Sequence, residues 1–136
     1  MIIDDNEIDQ RLYRRLIARS GRVGVVHSFA MAADALEFLG QRDRPKIDVI
    51  LLDINMPRMN GFEFLQEATT RFGPGLASSV IIMLTTSLLG NDRDRAFSSG
   101  LVRDYLDKPL SLDHLEHIDA LIHGEARPVG LPVVES

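Results

Sequence analysis

Asp4, Asp5, Asp53, Thr85 and Lys108 are the residues of this chain whose types and positions could do chemistry. Asp53 closes the run VILLD and is followed by two turn signals, Met56-Pro57 and Asn60-Gly61. Asp4 and Asp5 follow the apolar triplet MII, Thr85 follows IIML and opens TTS, and Lys108 stands before Pro109. An ionised carboxylate behind a run of buried aliphatics is costly unless something pairs with it. Asp53 therefore either caps the loop after its strand or sits at the mouth of a site with a cation nearby. The histidines promise less. His114 and His117 are spaced i, i+3, and His123 stands near a helix end, where positive charge is favoured. A His-only metal site is not expected, and His27 reads as a strand residue.

The elements that must position these groups come from periodicity. Ile3 ends a short apolar segment, and Asn6 can cap a helix in which Ile8, Leu12, Leu16 and Ile17 recur opposite Arg11, Arg14, Arg15 and Arg19. Gly21 ends that helix. Val23 to Val26 is a β-branched strand candidate, and residues 30–39 read as a second helix closed by Gly40. Ile47 to Leu52 is a strand, Phe62 to Phe72 a helix, and Val80 to Leu84 another strand. A weaker helix spans about 91–99, its Asn91 to Arg95 face solvated. Tyr105-Leu106 belongs to a last short strand. Ser111 can cap a final helix carrying Leu112, Leu115, Ile118, Leu121 and Ile122.

Strands alternating with helices predict an α/β fold: a doubly wound parallel sheet of five strands with five helices, both faces covered. In such folds a ligand site lies beyond the carboxyl ends of the strands. Asp4 and Asp5, Asp53, Thr85 and Lys108 each fall at such an end, so the fold would bring them together.

Bulk properties exclude several classes. A chain of 136 residues suits one domain with a real core. Net charge −5 argues against a nucleic-acid-binding face. The absence of cysteine rules out disulfides, thiolate metal sites and cysteine nucleophiles. No apolar run approaches the ~18 residues of a membrane span, and no secretion signal is apparent. A soluble cytoplasmic protein is expected.

Asp4-Asp5, Asp53 within LLDINMPRMNG, Thr85 within IIMLTTS, and Lys108-Pro109 together resemble the receiver domain of two-component response regulators. Each motif is common; all of them in this order, each at its own strand end, are specific. The resemblance covers residues 1–123 and implies a flavodoxin-like receiver fold. It implies that Asp53 is the phosphoacceptor, that Asp5 binds Mg²⁺ directly and Asp4 mainly through water, and that the Asn55 carbonyl is a metal ligand. It implies further that Lys108 contacts the phosphoryl group, that Thr85 is the switch hydroxyl, and that Tyr105 is the switch aromatic. Pro109 would follow a cis peptide bond, and Gly61 would close the loop after the site. Asn55 and Ser87 would tune phosphoryl lifetime. The implied partner is a sensor histidine kinase or a histidine phosphotransfer protein.

The chemistry is coherent on its own terms. Three neighbouring carboxylates repel one another, which calls for a hard divalent cation with oxygen ligands such as Mg²⁺. Without it, at least one carboxyl should titrate high. Lys108 adds a positive point charge and Thr85 a hydroxyl donor for phosphoryl oxygens.

Four features depart from the pattern or extend it. The first strand is short. One residue more than expected separates Gly100 from Tyr105, which would reshape the face made by helix four, strand five and helix five. Residues 124–136 fall outside the resemblance and read as a linker stub, or as an arm pairing with a sheet edge or a second protomer. The LTTS stretch and extended C-terminus resemble single-domain regulators of phytochrome-type kinases. The expected function is a stand-alone phosphorylation switch or phosphorelay intermediate, with homodimerisation open. Two rivals remain: a phosphorylation-independent binding module of receiver fold, and an aspartyl-phosphate phosphatase. The phosphatase would carry a carboxylate two residues after the nucleophile, where this chain has Asn55.

Overall fold

A computed structural model describes residues 1–21, 24–76, 79–86, 90–98 and 100–124. The elements run β1 Ile2–Ile3, α1 Glu7–Ser20, β2 Ser28–Phe29, α2 Ala32–Leu39, β3 Val49–Asp53, α3 Gly61–Phe72, a 3₁₀ turn Gly73–Leu76, β4 Val80–Thr85, α4 Gly90–Ser98, β5 Val102–Asp107 and α5 Leu112–Ile122. All five strands are parallel, in the order β2-β1-β3-β4-β5. The predicted doubly wound sheet is present. Ser87 and the tail beyond Gly124 lie outside the described residues.

Two apolar layers hold the sheet. On one face Ile3, Ile50, Leu52, Ile81 and Met83 pack with Leu36, Phe64, Leu65 and Ala96 of α2, α3 and α4. On the other, Ile2, Leu51, Ile82, Leu84 and Leu106 pack with Tyr13 and Ile17 of α1 and Leu115, Ile118 and Leu121 of α5. Alternate residues of β3 and β4 thus serve opposite layers, as a strand buried on both faces requires.

Helix boundaries follow local hydrogen bonding. Asn6 Oδ1 accepts from the Ile8 and Asp9 amides at 2.9 and 3.1 Å, and Gly21 closes α1 at φ 65°, a left-handed conformation that suits glycine. Asn60 and Glu63 form a capping box for α3. Ser111 caps α5 as predicted, with His114 Nδ1 accepting the Ser111 amide.

Three expectations are corrected. The second strand is Ser28–Phe29; of the expected Val23 to Val26, Val23 lies outside the described residues, and residues 24–26 are not in strand, with Val25 73% exposed. The reason is the length of β1, which offers only Ile2 and Ile3 as partners, opposite Ser28 and Phe29. β-Branched residues make a strand only where a pleated, half-buried surface awaits them. In α1 the buried stripe is Tyr13 and Ile17, with Leu12 and Leu16 at its margin, while Ile8 is exposed on the first turn. The last strand is longer than Tyr105-Leu106, because Arg103 and Asp104 mask its apolar pattern.

The extra residue before Tyr105 is absorbed in β5. Ile81 lies opposite Val102 and Ile82 opposite Asp104, so Arg103 bulges from the ladder. The bulge reverses the alternation. Val102 and Tyr105 enter the α2–α4 layer, while Leu106 enters the α1–α5 layer. Asp104, fully buried, meets His117 Nε2 of α5 at 2.7 Å.

Candidate functional site

Asp4, Asp53 and Lys108 meet at the carboxyl ends of β1, β3 and β5. Lys108 Nζ stands 2.8 Å from Asp4 Oδ2, 2.9 Å from Asp9 Oδ2 and 3.3 Å from Asp53 Oδ1. The Lys108 amide donates to the Thr85 carbonyl at 2.8 Å, which ties the end of β5 to the end of β4. The Lys108–Pro109 peptide bond is cis.

Each carboxylate is held locally. Asp4 Oδ1 accepts the Asn6 amide at 2.9 Å, and Asp53 Oδ1 accepts the Asn55 amide at 3.4 Å. Gln10 of α1 donates to the Asp4 and Phe29 carbonyls and pins the β1 and β2 ends together. Gly61 sits under the site. A Cβ there would stand 2.6 Å from the Asp53 carbonyl oxygen, closer than atoms can pack.

Burial sets the electrostatics. Asp4 and Asp53 are buried, whereas Asp5 is exposed. Desolvation, then the Asp4 charge, pushes the Asp53 carboxyl from 3.8 up to about 6, against the pull of Lys108. Desolvation also raises Asp4, again partly offset by Lys108. For Lys108, burial favours the neutral amine, but the bonds to Asp4 and Asp9 and the Asp53 charge outweigh it and hold the ammonium charged. Two raised carboxyls around one cation mark a cluster short of positive charge, as the sequence argument anticipated.

One carboxylate oxygen from each of Asp4, Asp5 and Asp53 lies within 4.8 Å of the others. This all-oxygen set with two buried members suits a hard divalent cation that keeps part of its water shell. Thr85 is fully buried at the end of β4, one residue past Leu84, the register partner of Asp53. Tyr105 is 8% exposed, its ring inward against the layer containing Ala96 and Phe97. The Asn55 side chain is exposed.

Other sequence candidates serve the fold. His114 caps α5, and His123 Nδ1 approaches the Asp119 carbonyl at 2.7 Å. His27 packs its ring against Phe38 beside β2. The Asn91 to Arg95 face is largely exposed, but Arg95 also covers the Phe62 ring at 4.3 Å. Two features escaped sequence reasoning. Asp9 reads as an ordinary acid in a first helical turn, and only the fold places it on Lys108. The Asp104–His117 pair depends on the bulge, which no pattern in the sequence positions.

The family model for the response regulator receiver domain matches residues 1–118. This chain belongs to the receiver family. A two-component response regulator from Cytophaga hutchinsonii is 29% identical, with TM-score 0.81 over 91% of this chain and 95% of that one. The bacteriophytochrome response regulator RtBRR is 28% identical, TM-score 0.75, covering 89% and 75%. Among curated proteins, a probable methanogenesis regulatory protein, FilR2 of Methanothrix harundinacea, is 31% identical over 85% of this chain and 75% of its own. The rice two-component regulator ORR1 is 29% identical, but this chain spans 52% of it. The sensor kinase RcsC of Escherichia coli carries a 31% identical segment, matching 11% of its length. Receiver domains are signalling switches of two-component systems. They bind Mg²⁺ at an acidic pocket and interact with histidine kinases or phosphotransfer proteins. No helix among the described residues is long and apolar enough to cross a membrane.

Proposed function

We propose that this receiver is a phosphorylation-operated switch of the cytoplasm whose phosphoacceptor is Asp53. The observation that carries the reading is the ammonium of Lys108 within 3.3 Å of both Asp4 and Asp53 at the strand ends, beside a three-carboxylate oxygen set. Asp4, Asp5, Asp53 and the Asn55 carbonyl would hold Mg²⁺. When bound, the ion supplies charge neutralisation for the incoming phosphoryl oxygens.

Asp53 attacks the phosphorus of a phosphohistidine on a kinase or phosphotransfer protein. The N–P bond breaks as the Oδ–P bond forms, and the imidazole leaves and takes up a proton. Lys108 stabilises one phosphoryl oxygen and the Thr85 hydroxyl donates to another. Water later attacks phosphorus, the Oδ–P bond breaks, and inorganic phosphate leaves. Asn55, two residues past the nucleophile, would flank the path of that water. Movement of Thr85 toward the phosphoryl group shifts the end of β4 and the setting of Tyr105, which alters the α4–β5–α5 face presented to a protein partner or a second copy.

Residues 1–123 form the receiver, and 124–136 serve as a linker stub or dimerisation arm. Similarity to RtBRR, together with the LTTS stretch, favours a phytochrome-type sensor kinase as partner. A phosphatase role is disfavoured by Asn55, which has no carboxylate for acid–base work.

The test is incubation with acetyl phosphate, with and without Mg²⁺, of wild type and Asp53→Asn, read by intact and native mass. One phosphoryl adduct that requires both Mg²⁺ and Asp53 is expected. A doubling of native mass would identify dimerisation as output. An unmodified wild type in Mg²⁺, unresponsive to beryllofluoride as well, would refute the reading and leave a binding module of receiver fold.

A further inference from the structure

Lys108 has three N–H donors and three carboxylate neighbours. The two short contacts go to Asp4 at 2.8 Å and Asp9 at 2.9 Å; Asp53, at 3.3 Å, is the most distant. Asp9 belongs to α1, and the Lys108 contact spans 99 positions of chain. Its backbone is fixed there because its amide donates to the Asn6 cap at 3.1 Å. Asp9 lies outside the oxygen set of Asp4, Asp5 and Asp53. It touches the lysine and is not one of the groups that would hold a cation.

Lys108 and a divalent cation compete for the same oxygens, those of Asp4 and Asp53. Each positive charge drawn onto that pair weakens its pull on the other. A third carboxylate on the lysine, set on the helix side, offsets part of the ammonium charge and gives it a partner away from Asp53. We propose that Asp9 is a positioning residue: it holds Lys108 on the α1 side of the Asp4–Asp53 pair and so keeps those carboxylates open to Mg²⁺. An acid in a first helical turn commonly needs no reason beyond the helix dipole. A dipole partner, however, requires no contact with Lys108, and this one is made at hydrogen-bond length by a side chain only 24% exposed.

The inference rests on the proposed Mg²⁺-dependent switch and is tested by cation binding rather than by phosphorylation alone. Wild type, Asp9→Asn, Asp9→Ala and Asp9→Glu are titrated with MgCl₂ by calorimetry. Amide NMR of residues 53–55 follows the same titration. Asp34→Asn, which removes the same charge from the exposed face of α2, is the control. The Mg²⁺ Kd is expected to rise about three- to tenfold in Asp9→Asn and Asp9→Ala, the scale of one partly exposed ion pair. Asp9→Glu recovers most of the affinity, and Asp34→Asn leaves it unchanged. An unchanged urea m-value in Asp9→Asn separates this loss of affinity from a loosened fold. Asp9→Asn conserves shape, so the test survives if the alanine variant folds poorly. Wild-type Mg²⁺ affinity in both Asp9→Asn and Asp9→Ala, or an equal loss in Asp34→Asn, would overturn this inference alone. A wild type that neither binds Mg²⁺ nor takes up a phosphoryl group would overturn the proposed function with it.

Discussion

Replacing Asp53 with asparagine should stabilise the fold, by an amount that depends on pH. The carboxyl is 5% exposed, and burial beside Asp4 lifts it from 3.8 to about 6. At about 1.4 kcal/mol per pH unit, ionising it inside the fold at pH 7 costs on the order of 3 kcal/mol. The sign follows from proton uptake. A carboxyl raised in the folded state binds its proton more tightly there than in the unfolded chain. Stability from this group is therefore fully present below pH 3.8 and is lost as pH rises through about 6. Asparagine removes the ionisation, and Lys108 keeps Asp4 at 2.8 Å and Asp9 at 2.9 Å as partners. Urea unfolding in chelator should show Asp53→Asn more stable at pH 7 by about 2–3 kcal/mol with an unchanged m-value. The gain should shrink toward zero near pH 4, and also at pH 7 when Mg²⁺ neutralises the wild-type cluster. Equal stability of the two proteins at pH 7, or a gain that persists at pH 4, would refute this account of the site's electrostatics.

Two further changes probe the supports of the site. Gly61→Ala should cost about 2 kcal/mol or more, because its Cβ meets the Asp53 carbonyl oxygen at 2.6 Å and Met83 Cε at 3.0 Å; urea midpoints check the stability, and phosphoryl uptake should fall with it as Asp53 shifts. His117→Ala should cost on the order of 3 kcal/mol, because it removes a 2.7 Å partner from the fully buried Asp104; an unaltered urea midpoint would show that the other contacts of Asp104, the Tyr105 amide at 2.8 Å among them, suffice.

Much of the fold was legible because parallel strands buried on both faces announce themselves as apolar runs. VILLD and VIIMLT could be little else, and Asn6, Asn60 and Ser111 mark helix starts by their side-chain chemistry. β2 was misplaced for a complementary reason. Ser28 and Phe29 have no strand signature of their own and become a strand only by lying beside Ile2 and Ile3. The exposure of Ile8 has the same origin, since a helix buries the stripe its neighbours cover, and here that stripe runs through Tyr13 and Ile17.

Asp4, Asp5, Asp53, Thr85 and Lys108 were visible as candidates because parallel topology collects strand ends on one side of the sheet. The sequence by itself determined that charge would gather there, since it fixes which residue follows each apolar run. Only the tertiary structure decided how that charge is shared. Lys108 reaches past Asp53 to Asp4 and Asp9 because α1 descends from the end of β1 onto the face where α5 and β5 meet. Distances between residues about a hundred positions apart are set by packing, and no local pattern encodes them. The β5 bulge makes the same point. One added residue is readable in the chain, but that it lodges at Arg103, and so sends Asp104 to His117 and Tyr105 to the opposite layer, depends on the register with β4.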